Sequence, residues 1–401
     1  MNQKYLNIIL ALLIYLPTCA FVPLYLYLVL IAVCIYLNLG FLQRFASNLF
    51  KGKIIDKNFA FLLLFAFITF IYRIVDLENW ESIKDIYSFG YLFPFTYIIA
   101  RSIKGREVIL KYILYFILIE VAVSVIQYAF GVNTFYTSLR RYRVFESYDM
   151  LYFTRTFGLG ANSSLLSFKY IFGLILLGVI KLPQRTSIVF ELVLLIGSII
   201  TFGRIALIVV FFFLLLRLID SIFIKKNFNL VNQIPFILIV LFFAVNPTWT
   251  YNQFTRNDTV VSLGRIDIDE LEENDIQDGE TIAFTHEFGL NKIDMSGRNE
   301  IWNTFSTYIS ENPQFGNKGK KVMFGRYHAH NSFLELLASY GIYMFLFMLF
   351  IIFRNMSINN YVLIFTLGLL SFGQYLVFWG VSIFDILFYY LIFFYKKDEN
   401  K

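Results

Sequence analysis

Charged residues are scarce in this chain, since Asp, Glu, Lys and Arg make up 15% of its 401 residues. An ordinary soluble domain carries about 25%. Cysteine is also rare, with two residues, and neither an internal repeat nor a low-complexity linker is found. These absences exclude a disordered chain, a coiled coil, a collagen and a disulfide-rich scaffold. Cys19 and Cys34 lie inside apolar runs and are predicted to be reduced packing residues.

Apolar residues are abundant at 58%, with 48 Phe and 27 Tyr, which is more apolar surface than one soluble core can cover. The composition therefore predicts an all-α, polytopic membrane protein. A transmembrane helix needs about 17–25 mostly apolar residues, and runs of this kind predict about twelve spans. The first two share 5–37 and turn near Pro17–Pro23, and the others lie near 58–75, 86–100, 108–130, 161–180, 186–201, 203–223, 233–247, 332–353, 360–377 and 380–395.

The distribution of basic residues predicts the orientation of these spans. With the N-terminus inside, every predicted inner segment is basic, which is the positive-inside signature of a membrane protein with both ends in the cytoplasm. The chain then divides into a membrane domain at 1–247, a large periplasmic loop at 248–331, and a second membrane part with a tail at 332–401. The inner basic residues are Lys4, Arg44, Lys51, Lys53, Lys57, Arg101, Lys104, Arg106, Lys111, Lys181, Arg185, Arg217, Lys225, Lys226, Arg354, Lys396, Lys397 and Lys401.

The two long outer loops carry unusual charge. The loop near 131–160 contains Arg140, Arg141, Arg143 and Arg155, where basic residues should be scarce. They form either a solvated surface that contacts lipid headgroups or an anion site, since guanidinium groups match phosphate oxygens. The larger loop is acidic at 267–280 and includes an Asp-x-Asp spacing that could bind a metal ion. A solvated stretch is the favoured interpretation there.

Two arginines lie at apolar boundaries near the predicted outer face. Arg204 follows Thr201-Phe202-Gly203 between two spans. Its charged side chain either points into the protein, where it could be functional, or extends to the membrane interface. Arg298 lies in the first turn of a predicted amphipathic helix, capped by Ser296, that ends at Asn312-Pro313. An arginine at a helix N-terminus can bind an anion, although an ordinary surface arginine is the alternative. The apolar stripe of this helix comprises Ile301, Trp302, Phe305, Tyr308 and Ile309.

Two histidines precede the predicted span that starts near 332. His328 and His330 stand just before Ser332-x-x-Glu335, which fits a capping box. A neutral imidazole beside the positive end of a helix could accept a proton from a hydroxyl. Structural hydrogen bonding and metal binding remain alternatives on these residues alone. The spans also contain Glu120, Glu191 and Asp385, which could pair inside the bundle or mark an ion path.

These motifs, in this order, resemble the superfamily of O-antigen polymerases and O-antigen ligases of the Wzy and WaaL type, and most of all the polymerases. The similarity covers roughly 150–350 and the span layout. A weaker fourth element pairs Arg155-Thr156-Phe157-Gly158 with Asn162. The motifs that carry the resemblance are Thr201-Phe202-Gly203-Arg204, Gly297-Arg298-x-x-Ile301-Trp302, Asn312-Pro313-x-Phe315-Gly316 and His328-Ala329-His330-Asn331-Ser332-Phe333-Leu334.

The resemblance implies a GT-C-like, metal-independent and cofactor-free inverting glycosyltransferase at the periplasmic face of the bacterial inner membrane. The donor would be a glycan on undecaprenyl pyrophosphate, and the acceptor another lipid-linked repeat unit. Membrane lipid and a chain-length regulator would be further partners, and no nucleic acid is expected. The implied catalytic residues are His330, Arg204 and Arg298. The implied substrate-binding residues are Arg155, Arg143, His328, Asn331 and Asn162.

Other functions share parts of this pattern. An O-antigen ligase, which passes the finished polymer to lipid A–core, would carry all three main motifs. A protein O-glycosylating transferase would usually be a longer chain. A lipid-linked glycan flippase or another transporter would also have about twelve spans, but its key charges should lie at mid-membrane, often with internal repeats. Here the notable charges lie at the outer rim, which favours an enzyme.

Overall fold

The computed structural model describes residues 3–23, 25–75, 89–136, 156–160, 162–201, 203–224, 226, 228–245, 298–324, 328–357 and 360–395. Within these ranges the chain forms helices and no strand, which confirms the all-α class. The helices are α1 Gln3–Tyr15, α2 Leu26–Leu37, α3 Leu39–Phe50, α4 Lys57–Val75, α5 Phe89–Ile103, α6 Val108–Ala129, α7 Ser163–Val179, α8 Gln184–Ile200, α9 Arg204–Ile219, α10 Ile234–Val245, α11 Arg298–Glu311, α12 Ser332–Asn355, α13 Tyr361–Gly373 and α14 Ile383–Phe393.

Each predicted span contains one of these helices, but the helices differ in length. Three are long and apolar enough to cross a bilayer, namely Val108–Ala129, Ile205–Ile224 and Ser332–Asn355. The pair α2 and α3 meets the same test together, although it bends by 68° at its break. Further apolar helices, including α7, α13 and α14, are shorter. The protein is therefore a helical membrane protein, and the number of twelve spans stays a prediction.

Two short helices form the centre of the bundle. Every residue of α14 from Ile383 to Ile392 is buried, and almost all of α7 is buried as well. A helix that is apolar on all sides is buried, either among other helices or in lipid, and the burial of α7 and α14 shows that other helices surround them. The outer helices instead expose large apolar side chains, such as Phe67 and Phe350. This arrangement explains the high phenylalanine content, because lipid covers the apolar surface that water would otherwise meet.

Helix α12 is broken near its middle. Gly341 has φ 76° and ψ 177°, which is not helical, so the backbone around it cannot complete its own hydrogen-bond ladder. The turn after α11 supplies the missing partners. The N–H groups of Asn317 and Gly319 donate to Ala338 O and Ser339 O at 2.8 and 2.7 Å. The motif that follows Asn312 therefore closes a gap inside a membrane helix, which sequence spacing did not indicate.

Two glycines make this contact possible. A Cβ added to Gly316 would lie 2.7 Å from Gly341 N, and a Cβ on Gly341 would lie 2.6 Å from Phe315 N. Both glycines also have positive φ. We expect Gly316→Ala and Gly341→Ala each to cost more than about 1–3 kcal/mol of stability, measured as a lower thermal unfolding midpoint of the purified protein. Gly368→Ala is the matched control, since a Cβ there meets nothing within 4 Å. Equal midpoints for all three variants would contradict this account.

The predicted orientation can be tested with a single cysteine. The two native cysteines are free thiols with 3% and 1% exposure, as the sequence predicted, so background labelling should be low. Position 275 lies in the large loop, outside the described residues. We expect Asp275→Cys to react with a membrane-impermeant maleimide once the outer membrane alone is permeabilised. Labelling that requires disruption of the inner membrane would reverse the topology.

Candidate functional site

The start of α12 differs from the predicted capping box. Asn331, and not Ser332, caps the helix, because its Oδ1 accepts the N–H groups of Phe333 and Leu334 at 2.9 and 3.1 Å. The Ser332 hydroxyl is engaged elsewhere, since it accepts the N–H groups of Leu376 and Val377. The capping-box prediction is therefore wrong by one residue. The remaining polar atom of Asn331, Nδ2, is buried without a hydrogen-bond partner in the described part of the chain.

His328 and His330 lie side by side next to this cap. Their ring centroids are 4.0 Å apart, and the His328 ring lies 6.0 Å from that of Tyr375. His330 has φ 47°, a left-handed conformation that a residue with a side chain adopts at an energetic cost. Burial, followed by the charges of His330 and Lys321, lowers the pKa of His328 to about 4. His328 is therefore neutral near pH 7, but it is a weak base.

A buried acid and a lysine complete this cluster. Glu335 is 1% exposed, and its Oε2 accepts the Ala329 N–H at 3.2 Å. The Lys321 ammonium lies 5.2 Å from the centroid of the Tyr375 ring. Burial lowers the pKa of Lys321, and the negative charge of Glu335 opposes that shift. Sequence reasoning missed Lys321 because a lysine pair in a glycine-rich loop resembles a solvated run. The apolar residues that follow it directly were the available signal.

The N-terminal half of α11 packs against the histidine segment. The Trp302 indole donates from Nε1 to Ala329 O at 2.8 Å, and its ring lies 5.6 Å from Phe372 at the end of α13. The predicted apolar stripe is confirmed, since Phe305 is fully buried and its neighbours on the stripe pack around it. Arg298 is the first residue of α11, one turn before Trp302. The structure describes the backbone of Arg298 but not its side chain.

The first turn of α9 reaches the same end of α13. A Cβ added to Gly373 would lie 2.8 Å from Ile205 Cγ2, so the Ile205 side chain packs directly against the backbone of α13 there. Gly203 caps α9, and a Cβ on it would lie 2.8 Å from Ser167 Oγ in α7. Arg204 is the first residue of α9, and the structure does not describe its side chain either. Convergence of the Arg204 and Arg298 guanidinium groups therefore stays a prediction.

Three helices thus begin around one point, the segment from Phe372 to Val377. These are α9, α11 and α12, each of which contains one of the three main sequence motifs. Helix N-termini carry a partial positive charge and attract anions. The C-terminus of α13 lies at the same place and offsets part of that charge. The fold brings the backbones of the three motifs into one neighbourhood although up to 128 residues separate them, from Gly203 to Asn331.

The fourth motif is only partly described. Arg143 and Arg155 lie outside the described residues. Asn162 caps α7, since its Oδ1 accepts the Leu165 N–H at 2.8 Å. Asn162 therefore has a structural role, and its predicted contact with a sugar stays a prediction. The turn after Arg155 is firmly held, because the Gln127 amide bonds both the N–H and the C=O of Gly158 at 2.8 Å.

A buried ion pair lies beneath this turn. The Lys169 ammonium is 2.7 and 2.9 Å from the two carboxylate oxygens of Glu120, and both side chains are fully buried. Glu120 also accepts the Tyr15 hydroxyl at 2.6 Å and the Leu159 N–H at 2.9 Å. The pair therefore joins α1, α6, α7 and the turn. Glu191 is likewise paired, with Arg217 at 2.6 Å, so pairing inside the bundle is confirmed for both acids.

Removal of one member of the Glu120–Lys169 pair should destabilise the fold. We expect Lys169→Met to lower the stability by about 3–5 kcal/mol, because it leaves the Glu120 carboxylate buried without its cation. The double variant Glu120→Gln with Lys169→Met should recover part of that loss. The measurement is the thermal unfolding midpoint, with Lys104→Met, an exposed lysine, as the control. A single variant as stable as the control would mean that the pair contributes nothing.

No protein-family model matches the chain, and no curated protein matches it with a significant score. The resemblance described above therefore rests on the motifs and the span layout alone.

Proposed function

We propose that this protein is a membrane glycosyltransferase that polymerises lipid-linked oligosaccharide repeat units. The donor is a glycan on undecaprenyl pyrophosphate, and the acceptor is a sugar hydroxyl of another lipid-linked repeat, at the periplasmic face of the inner membrane. One observation carries the proposal. The starts of α9, α11 and α12, which bear Arg204, Arg298 and the two histidines, meet at the end of α13.

The chemistry of such a transfer needs both kinds of group. The acceptor oxygen attacks the anomeric carbon, and the bond from that carbon to the pyrophosphate oxygen breaks with inversion. The electron pair of that bond passes to the pyrophosphate, whose negative charge grows. Positive groups aimed at this charge stabilise the transition state more than the ground state. Helix N-termini and arginines supply such groups without a metal ion.

The acceptor proton needs a base. A sugar hydroxyl is a weak nucleophile unless its proton is removed as the new bond forms. We assign this role to His330, because it directly precedes the helix cap at Asn331, whereas burial and the neighbouring charges lower the pKa of His328 to about 4. The cap at Asn331 fixes the backbone directly after His330. His328 then contributes to substrate binding and packs against the His330 ring.

Deletion of the gene in its host tests the function in cells. A gel of the surface polysaccharide should then show core that carries one repeat and no ladder of longer chains. Bare core, with polymer left on its lipid carrier, would mean that the protein is a ligase. A lack of lipid-linked repeats at the outer face would mean that it is a transporter.

Reconstitution tests the chemistry directly. The purified protein in liposomes, given lipid-linked repeats alone, should form a ladder of products that stay on the polyprenyl carrier. Chelation of divalent cations with EDTA should leave the ladder unchanged. A ladder that forms only after addition of lipid A–core, or a loss of activity with EDTA, would contradict the proposal.

A further inference from the structure

A cavity of about 530 Å³ lies at the other end of the helices that lead to the candidate site. It is formed where α6 begins and where α7 and α14 end, so the two central helices run from the site to this cavity. Its volume is in the range of small-molecule pockets, about 300–1,000 Å³. The basic inner segments predict that this end faces the cytoplasm. Nothing in the proposed glycosyl transfer uses this cavity.

The polar lining of the cavity is predominantly cationic. Lys111 and Lys181 line it together with one acid, Glu107. The Glu107 carboxylate accepts the Gly105 N–H at 3.3 Å and lies 3.5 Å from the Tyr390 hydroxyl. Among the described residues, no carboxylate lies within ion-pair distance of the half-buried Lys111. A half-buried ammonium at the wall of a cavity is best stabilised by an anion inside it.

The walls of the cavity are suited to a lipid. Val179, Ile180 and Phe394 provide apolar surface next to the polar groups. The Tyr390 and Tyr395 hydroxyls donate to Glu107 and to Gly178 O, and their lone pairs can accept a hydrogen bond from a headgroup hydroxyl. Basic pockets between helices on the cytoplasmic side of a membrane are typical sites for anionic headgroups. The half-buried Lys111 ammonium, which has no carboxylate at ion-pair distance in the described part of the chain, favours an anionic headgroup over a zwitterionic one.

We propose that this cavity binds the phosphodiester headgroup of an anionic glycerophospholipid from the cytoplasmic leaflet. Lys111 and Lys181 contact the phosphate oxygens, while Glu107 accepts hydrogen bonds from the headgroup hydroxyls. The bound lipid holds the start of α6 against the ends of α7 and α14. Because the two latter helices form the centre of the bundle, the lipid stabilises the whole fold. The proposal does not depend on the proposed function.

The purified full-length protein in a neutral detergent tests this site. Native mass spectrometry and thermal unfolding should be followed with phosphatidylglycerol, with phosphatidylethanolamine and with inorganic phosphate. We expect phosphatidylglycerol to bind most tightly and to raise the unfolding midpoint. Lys111→Ala should weaken that binding by about fivefold to tenfold, whereas Lys111→Arg should retain it. Lys104→Ala removes an exposed lysine of the same segment and should have no effect.

Several results would overturn the assignment. Equal binding by phosphatidylethanolamine would remove the preference for an anionic headgroup. Equal stabilisation by inorganic phosphate would show a soluble ligand instead of a lipid. If Lys111→Ala fails to fold, Lys181→Ala and Lys111→Arg decide the matter. Binding by a pair of cations is contradicted if Lys181→Ala binds phosphatidylglycerol with wild-type affinity while folded Lys111→Arg no longer binds it.

Discussion

Replacement of His330 by alanine is expected to reduce glycan polymerisation by about 10²- to 10⁴-fold, the usual contribution of a general base. The reason is that the acceptor hydroxyl would lose the group that takes its proton. The reaction should be followed as product formed per minute by the purified protein from lipid-linked repeats. In cells, the polysaccharide ladder should disappear while the protein still inserts into the membrane.

His328→Ala is the matched control, because the two rings lie 4.0 Å apart. It should leave partial activity, since a residue with a pKa near 4 is a poor proton acceptor. If His328→Ala removes the polymer while His330→Ala retains it, the two roles are exchanged. If both variants keep full activity, histidine does not act as the base, and stabilisation of the leaving group must carry the reaction.

Replacement of Arg298 or Arg204 by alanine is expected to lower the rate by about 10²- to 10³-fold, the effect of losing one group that stabilises transition-state charge. Both residues begin helices that contact the end of α13 near their N-termini, through Ile205 and Trp302. Their loss should reduce kcat more than it raises KM, because the pyrophosphate gains charge only as the glycosidic bond breaks. Steady-state kinetics with lipid-linked repeats would measure this difference.

Lysine at either position should restore part of the activity, since it keeps the charge but not the planar, two-pronged geometry of arginine. Arg44→Ala is the control. Arg44 is exposed on α3, and within the described residues its side chain donates only to the Gly40 carbonyl of its own helix. Normal activity of both Arg204→Ala and Arg298→Ala would exclude a shared pyrophosphate site. A rise in KM with unchanged kcat would limit the arginines to substrate binding.

The positions of the helices were largely predictable from the sequence. The run at 108–130 corresponds to helix Val108–Ala129, and the run at 332–353 corresponds to Ser332–Asn355. This agreement has a physical reason, since a segment in hydrocarbon must satisfy its backbone hydrogen bonds internally and therefore forms a helix. The same reasoning could not predict the break at Gly341. The residues around it read as one apolar run, and the non-helical turn exists only because the loop after α11 bonds its carbonyl groups.

The candidate site was only partly predictable. The histidines, Arg298 and the stripe with Trp302 stand out by their local pattern. The cap is different, because Asn331 and Ser332 are both good capping residues. Only the bonds from Leu376 and Val377 to the Ser332 hydroxyl decide between them. Lys321 and Glu335 likewise become part of the site through folding alone.

The sequence by itself determined that this is a helical membrane protein, where most of its helices lie, and which short motifs carry charge near an apolar boundary. These properties depend on neighbouring residues along the chain. Tertiary structure decided which distant polar groups meet, such as Glu120 with Lys169, and that the starts of α9, α11 and α12 share one end of α13. The physical reason is that a buried charge or an unfinished backbone turn must find its partner wherever packing brings one.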